Sequence, residues 1–193
     1  MSTATDNVRP VMILAGGTGG HIFPGLAVAQ ELRSRGWNVH WLGAPSSMES
    51  RIVPPQGFAL ELIEFGGVRG KGLKTLVQLP FRLAKAFSQA RAVMKRVQPD
   101  VVIGLGGYLT VPGGLMAAAS GVPVVLHEQN SVAGMANKVV AKVAKRVFTA
   151  FPKVFAQGEW VGNPLRQAFL EQAEPAQRFA GRSGPLRLLV VGG

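Results

Sequence analysis

Between Val101 and Leu126 the chain runs for 26 residues without a charged side chain. A stretch of that length and hydropathy either crosses a bilayer or fills the middle of a globular domain. Its six glycines and two prolines argue against a span, because they divide it into pieces. Val101–Leu105 reads as a strand, Gly106-Gly-Tyr108 as a turn, Thr110–Ser120 as an alanine-rich helix and Val122–Leu126 as a second strand. A continuously apolar strand has both faces buried, which fits a parallel sheet covered by helices on each side.

The same unit recurs along the chain. Val11–Leu14 is apolar throughout and runs into Gly16, Gly17, Gly19 and Gly20, four glycines in five positions. The following helix is expected to start near Pro24, since proline is tolerated in a first turn; Ile22, Leu26, Ala29 and Leu32 share one face, and Gly36 is a suitable stop. Val39–Leu42 reads as the second strand, Gly43–Ser47 as a turn, and a short helix begins at about Met48. A third strand lies near Phe58–Ile63. Ser131–Ala144 reads as a helix and Arg146–Thr149 as a sixth strand. This alternation predicts an α/β fold built on a doubly wound parallel sheet.

Length allows one complete core with a remainder too short for a second. Residues 1–9 are polar, lack the apolar segment of a secretory signal and are expected to be disordered. The main domain is expected over residues 10–170. Residues 171–185 are polar, are broken by proline and glycine, and read as a linker. Leu186–Gly193 repeats the opening theme of an apolar strand running into glycines, as the first strand of a further domain would. The chain has no cysteine, which excludes disulfide scaffolds and thiol catalysis.

Lysine and arginine total 21 against 10 acidic residues, and the net charge of +11 calls for an anionic partner. From Arg69 to Arg96 there are eight basic residues and no acidic one. Leu73, Leu76, Leu79 and Phe81 lie among them with Arg82 and Lys85. Basic plus apolar at helical spacing fits a segment resting on an anionic bilayer. The same spacing also fits a helix that turns its apolar stripe to the sheet and leaves its lysines solvated. Pro80 is expected to break or kink it.

In open α/β sheets ligands bind outside the carboxyl ends of the strands. The segments Gly16–His21, Gly66–Gly72, Gly106–Tyr108 and His127–Asn130 all fall there. Glycine turns permit close backbone approach, and helix N–H groups then face the ligand, which favours an anion. No lysine stands where a P-loop needs one, and a dinucleotide fingerprint begun at Gly17 ends on Ile22. His21 at the mouth of the turn is placed for proton transfer, since histidine ordinarily titrates near pH ~6.5. Glu128, the sole carboxylate between Asp100 and Glu159, suits either catalysis or local hydrogen bonding. His127 reads as a strand-end histidine with a buried partner. Thr18, Tyr108 and Asn130 offer hydrogen bonds to hydroxyls and amides. No Asp-x-Asp pair exists and the three histidines are poorly spaced for zinc, so no metal or other cofactor is expected.

The strings AGGTGGHIFPGLAVA, GGVRGKG, PDVVIGLGGYLTVPGG, GVPVVLHEQN, AGMANK, VGNPLR and LLVVGG closely resemble the bacterial MurG-type glycosyltransferases, in the same order and over nearly the whole chain from Val11. The resemblance implies the Rossmann-like N-terminal half of a GT-B fold, working peripherally at the cytoplasmic face of the bacterial inner membrane. It implies transfer of N-acetylglucosamine from UDP-N-acetylglucosamine to the muramoyl C4 hydroxyl of undecaprenyl-linked lipid I, giving lipid II with inversion. On this resemblance Thr18, Gly19 and Gly20 face donor and acceptor diphosphate, Asn130 and Arg166 contact the nucleotide sugar, and Tyr108 and Glu128 line the acceptor side. His21 is the first candidate for the base and Glu128 the second. The family's donor-binding domain would lie beyond Gly193, so this chain alone is expected to be inactive or nearly so.

A different class of reading is a non-catalytic Rossmann-like module whose basic face binds anionic membrane lipid or nucleic acid. Few aromatic residues interleave with the basic ones, which disfavours nucleic acid. A GT-B enzyme with another lipid-linked or nucleotide-linked acceptor is a third.

Overall fold

A computed structural model describes residues 9–66, 73–185 and 188–189. The expectations for residues 1–8, for the 67–72 part of the basic loop and for 186–187 and 190–193 lie outside the described residues.

Seven strands form one sheet: β1 Pro10–Ala15, β2 Asn38–Gly43, β3 Ala59–Leu62, β4 Val101–Gly106, β5 Val124–Glu128, β6 Arg146–Thr149 and β7 Glu159–Trp160. Their order is β3-β2-β1-β4-β5-β6-β7, and all pairings are parallel. The helices are α1 Gly19–Ser34, α2 Met48–Ile52, α3 Leu73–Val97, α4 Thr110–Ala119, α5 Met135–Val140, α6 Gln167–Leu170 and α7 Pro175–Phe179.

Strand alternation divides the core into two layers. Val11, Ile13 and Ala15 of β1 meet Ile22, Leu26 and Ala29 of α1, closed by the buried Trp41. Met12 and Leu14 point the other way, onto Ala86 and Val93 of α3 and Ala117 of α4. The Trp41 indole N–H donates to the Ala15 carbonyl at 2.8 Å, so this large ring is buried without an orphaned donor. Helices therefore cover both faces, as the apolar strands require.

Three local expectations are corrected, and one short strand adds to those read from the sequence. Helix α1 starts at Gly19 rather than near Pro24, because extended Thr18 (φ −138°, ψ 156°) caps it with its carbonyl and takes Gly19 and Gly20 into the first turn. Helix α3 continues through Pro80, so the proline does not break it although it removes one backbone bond. Helix α5 spans only Met135–Val140, since the residues before it fold around the Glu128 carboxylate. Strand β7 was not foreseen; two residues carry too little pattern to be read.

Sheet growth reverses between β1 and β4. At such a point the connections leave in opposite directions and open a crevice at the carboxyl ends.

Candidate functional site

The ends of β1 and β4 touch at this crevice. The Gly16 N–H donates to the Gly106 carbonyl at 3.3 Å. Gly107 has φ +92°, and a Cβ there would stand 2.2 Å from the Gly16 oxygen, so no other residue fits. From the turn, α1 leaves with its N-terminus facing the crevice. The His21 and Ile22 N–H groups bond the Thr18 carbonyl at 3.2 and 3.1 Å. The N–H groups of Gly19 and Gly20 have no partner among the described residues, which leaves two oriented donors at the positive end of the 16-residue helix.

The turn is held from below by Glu49 of α2. This side chain is fully buried, and its carboxylate accepts the Gly17 N–H at 3.1 Å and the Ala44 N–H at 3.2 Å. The Tyr108 hydroxyl donates to it at 3.5 Å. Burial, followed by the Glu49 charge, pushes the Tyr108 phenol up to about 12, so it is a fixed neutral donor. The Gly17 N–H is therefore committed internally and is not part of any anion cradle.

His21, on the first turn of α1, lies against Gly106, where a Cβ would come within 2.6 Å of the ring. Its Nδ1 is 3.0 Å from the Gln129 amide oxygen. Gln129 is buried, and its amide nitrogen donates to the His127 carbonyl at 2.9 Å and lies 3.0 Å from His127 Nδ1. The other ring nitrogen of His127 lies 2.9 Å from the Gly162 carbonyl. Burial pulls the His127 imidazole below its ordinary range, against the opposing Gly162 bond and Glu128 charge, so it is neutral at pH 7.

Glu128 has no exposed surface, and each carboxylate oxygen takes two donors. Oε1 accepts the Asn130 N–H and the Asn130 side-chain amide, both at 2.9 Å. Oε2 accepts the Gly134 N–H at 3.0 Å and Asn137 Nδ2 at 2.9 Å. Burial alone would raise its pKa, but these bonds outweigh it and hold the group below the usual carboxylate range. Asn130 itself is exposed at the rim, presented by this loop.

Gly19, Gly20, Phe23, Gln129, Asn130 and Arg166 line one cleft of about 380 Å³. Arg166, the N-cap of α6, stacks its guanidinium over Phe23 at 4.5 Å and over Phe169 at 5.0 Å. A second cavity of about 450 Å³ lies on the other side of the turn, lined by Ser47, Phe65, Gly66, Arg82, Lys85 and Tyr108. The site residues read from the sequence are thus divided between two clefts flanking the Gly16–Gly20 turn, with Tyr108 in one and Asn130 and Arg166 in the other.

The basic helix is divided too. Leu79 and Leu83 pack on the core, whereas Phe81 is 79% exposed. Lys85 pairs with Glu64 at 2.6 Å. The side chains of Leu73 and Leu76 lie outside the described residues. Among the described residues no helix is long and apolar enough to cross a membrane.

Two polar groups at the site escaped the reading of the sequence. Glu49 sits in an unremarkable short helix with no spacing that ties it to a turn 32 residues earlier. Gln129 lies inside the polar string His127–Asn130, but nothing in that string distinguishes its amide from its neighbours.

Residues 11–149 match the glycosyltransferase family 28 N-terminal domain. A Paracidovorax citrulli protein named UDP-N-acetylglucosamine–N-acetylmuramyl-(pentapeptide) pyrophosphoryl-undecaprenol N-acetylglucosamine transferase is 72% identical over 96% of this chain and 52% of its own length. The crystal structure of Acinetobacter baumannii MurG superposes with a TM-score of 0.72 at 42% identity, covering 86% of this chain and 50% of that one. A UDP-GlcNAc 2-epimerase from Methanocaldococcus jannaschii, at 15% identity and TM-score 0.56, shares the fold alone. The chain spans about half the length of the curated relatives it matches. With a parallel sheet reversing between β1 and β4, a glycine turn at that reversal and a family match over 11–149, the chain belongs to the glycosyltransferase family 28 N-terminal domain family, with the Rossmann-like fold of the N-terminal half of a GT-B enzyme.

Proposed function

We propose that this chain forms the acceptor-side half of an inverting glycosyltransferase that moves N-acetylglucosamine from UDP-N-acetylglucosamine to the muramoyl C4 hydroxyl of lipid I, giving lipid II. The observation that carries this reading is the meeting, at the β1/β4 crevice, of His21 with the Gly19 and Gly20 N–H groups, which have no partner among the described residues. The names of the relatives supply the substrates.

In the proposed reaction His21 Nε2 takes the C4 hydroxyl proton as that oxygen attacks the anomeric carbon. The bond to UDP breaks on the opposite face, and the diphosphate leaves with the electron pair. The Gly19 and Gly20 N–H groups and the α1 dipole stabilise diphosphate charge in the crevice. Asn130 and Arg166 hold the nucleotide sugar from the 380 Å³ cleft. Thr18 contributes from the turn, and Tyr108 faces the acceptor from the second cavity. Glu128, the second candidate for the base, fits better as the organiser of the Asn130 loop, because all its acceptor positions are filled.

The same reading makes α3 a peripheral contact with anionic lipid at the cytoplasmic face of the inner membrane. Phe81 is the apolar anchor, with Arg82 and Lys85 beside it and Leu73 and Leu76 further along. Leu79 is withdrawn from this role by its packing.

The test is turnover by a chimaera that joins this chain to the remaining half of the Paracidovorax citrulli relative. His21→Ala is expected to lower kcat by about 10²–10⁴-fold, the usual contribution of a positioned base. An unchanged kcat in that variant, with activity abolished by Glu128→Gln, assigns the base to Glu128 instead. The non-catalytic alternative is tested by titrating the chain with anionic vesicles and single-stranded DNA; binding to DNA alone would reject the membrane contact.

A further inference from the structure

We infer that Gln129 and His127 are positioning residues that lock His21 in the Nδ1–H tautomer, leaving its Nε2 lone pair free at the crevice. The inference rests on the reading of His21 as the base and adds how the fold keeps it ready.

Two backbone carbonyls settle the direction of every bond in the chain of contacts, because a carbonyl only accepts. At one end, the Gly162 carbonyl lies 2.9 Å from His127 Nε2, so that nitrogen carries the proton. A neutral His127 then has a bare Nδ1, and Gln129 Nε2 donates to it at 3.0 Å. In the middle, the His127 carbonyl lies 2.9 Å from the same Gln129 nitrogen, which independently identifies it as the NH₂ end of the amide. The Gln129 atom facing His21 is consequently the oxygen, and His21 Nδ1, at 3.0 Å, must donate.

Each link is needed. A freely rotating amide could offer His21 either its NH₂ or its oxygen, and the two choices select opposite tautomers. Isolated histidine prefers the Nε2–H form, in which the nitrogen at the crevice would already be protonated and useless as a base. A charged His127 would point Nδ1–H at the Gln129 NH₂, donor against donor. Burial opposes that state by pulling the His127 pKa down, and the Gly162 bond and the Glu128 charge only partly offset it. The Gly106 backbone closes the other side of the His21 ring, so tautomer and orientation are held together. No proton passes into the relay; Gln129 accepts the Nδ1–H bond before and after His21 takes the hydroxyl proton. An amide, unlike a carboxylate, does this without adding charge beside an anion-binding turn.

The test is the tautomeric state of each imidazole, read from long-range ¹H–¹⁵N spectra of the ¹⁵N-histidine-labelled chain, which has only three histidines. Wild type is expected to show His21 protonated at Nδ1 and His127 at Nε2 near pH 8. Gln129→Met should shift His21 toward the Nε2–H form. If the methionine variant does not fold, the wild-type spectrum tests the inference by itself. Protonation of His21 at Nε2 in wild type, or an unchanged tautomer in Gln129→Met, would overturn the inference. In the chimaera, Gln129→Met should lower kcat by about 10- to 100-fold, as when a partner orienting a metal-bound histidine is removed. His21→Ala separates the two readings. If it leaves kcat intact, the base assignment fails while the tautomer result stands. If it abolishes turnover and Gln129→Met leaves the tautomer unchanged, the relay fails alone.

Discussion

Glu49 and Gly17 are bonded across 32 residues: the buried carboxylate of α2 accepts the N–H in the middle of the glycine turn at 3.1 Å. A negative charge directly beneath the proposed anion site would weaken it unless its oxygens were engaged by donors, and here both oxygens take backbone N–H groups. Glu49→Gln exchanges one accepting oxygen for an NH₂ facing another donor. It is expected to destabilise the fold by about 1–3 kcal/mol, measured as a lower urea midpoint.

Gly107 and Gly121 separate backbone strain from close approach. Both have positive φ, +92° and +76°, but a Cβ at Gly121 meets nothing within 4 Å, whereas one at Gly107 stands 2.2 Å from the Gly16 oxygen. Gly121→Ala is expected to cost about 1–2 kcal/mol. Gly107→Ala should cost distinctly more and disturb the β1/β4 ends, visible as chemical-shift changes at Gly16 and His21.

Glu128 makes stability depend on pH with a defined sign. Its folded pKa lies below the ordinary value of 4.5, so the unfolded chain binds the proton more readily. The contribution is fully present above pH 4.5 and is lost as pH falls through the lower folded value. Urea midpoints from pH 7 to pH 3 should fall more steeply for wild type than for Glu128→Gln. Parallel curves would show that the carboxylate's bonds carry no linkage.

Phe81 and Leu79 sit two positions apart on α3 and should respond oppositely. Phe81→Ser, at a 79% exposed site, is expected to leave stability within about 0.5 kcal/mol. It should weaken binding to anionic vesicles at least about 10-fold, since burying a phenylalanine contributes ~1.5–3 kcal/mol. Leu79→Ala is expected to lower the urea midpoint and spare vesicle affinity, because its side chain packs on the core.

Local patterns made most of the architecture legible. Val11–Leu14 and Val101–Leu105 are apolar at every position, which forces burial on both faces and hence a parallel, helix-covered sheet. Gly16–Gly20 and Gly106-Gly107 announced turns at strand ends, and Arg146–Thr149 is a strand as read. The errors occurred where a short-range rule met a longer-range partner. Pro80 ends no helix, and residues before Met135 leave the helix to surround Glu128.

The sequence by itself determined the strand-turn-helix alternation, the glycine turn, His21 beside it and the family resemblance, because each depends on residues within a turn or two of one another. Tertiary structure alone decided that Val11 pairs with Val101, which brings Gly16 against Gly107 and His21 against Gln129. It also decided which carboxylate supports the turn and which organises a loop, and which leucines of α3 face inward. Those outcomes depend on contacts between residues tens to about a hundred positions apart. Hydrogen-bond direction and burial are properties of such contacts, and no periodicity or spacing along the chain records them.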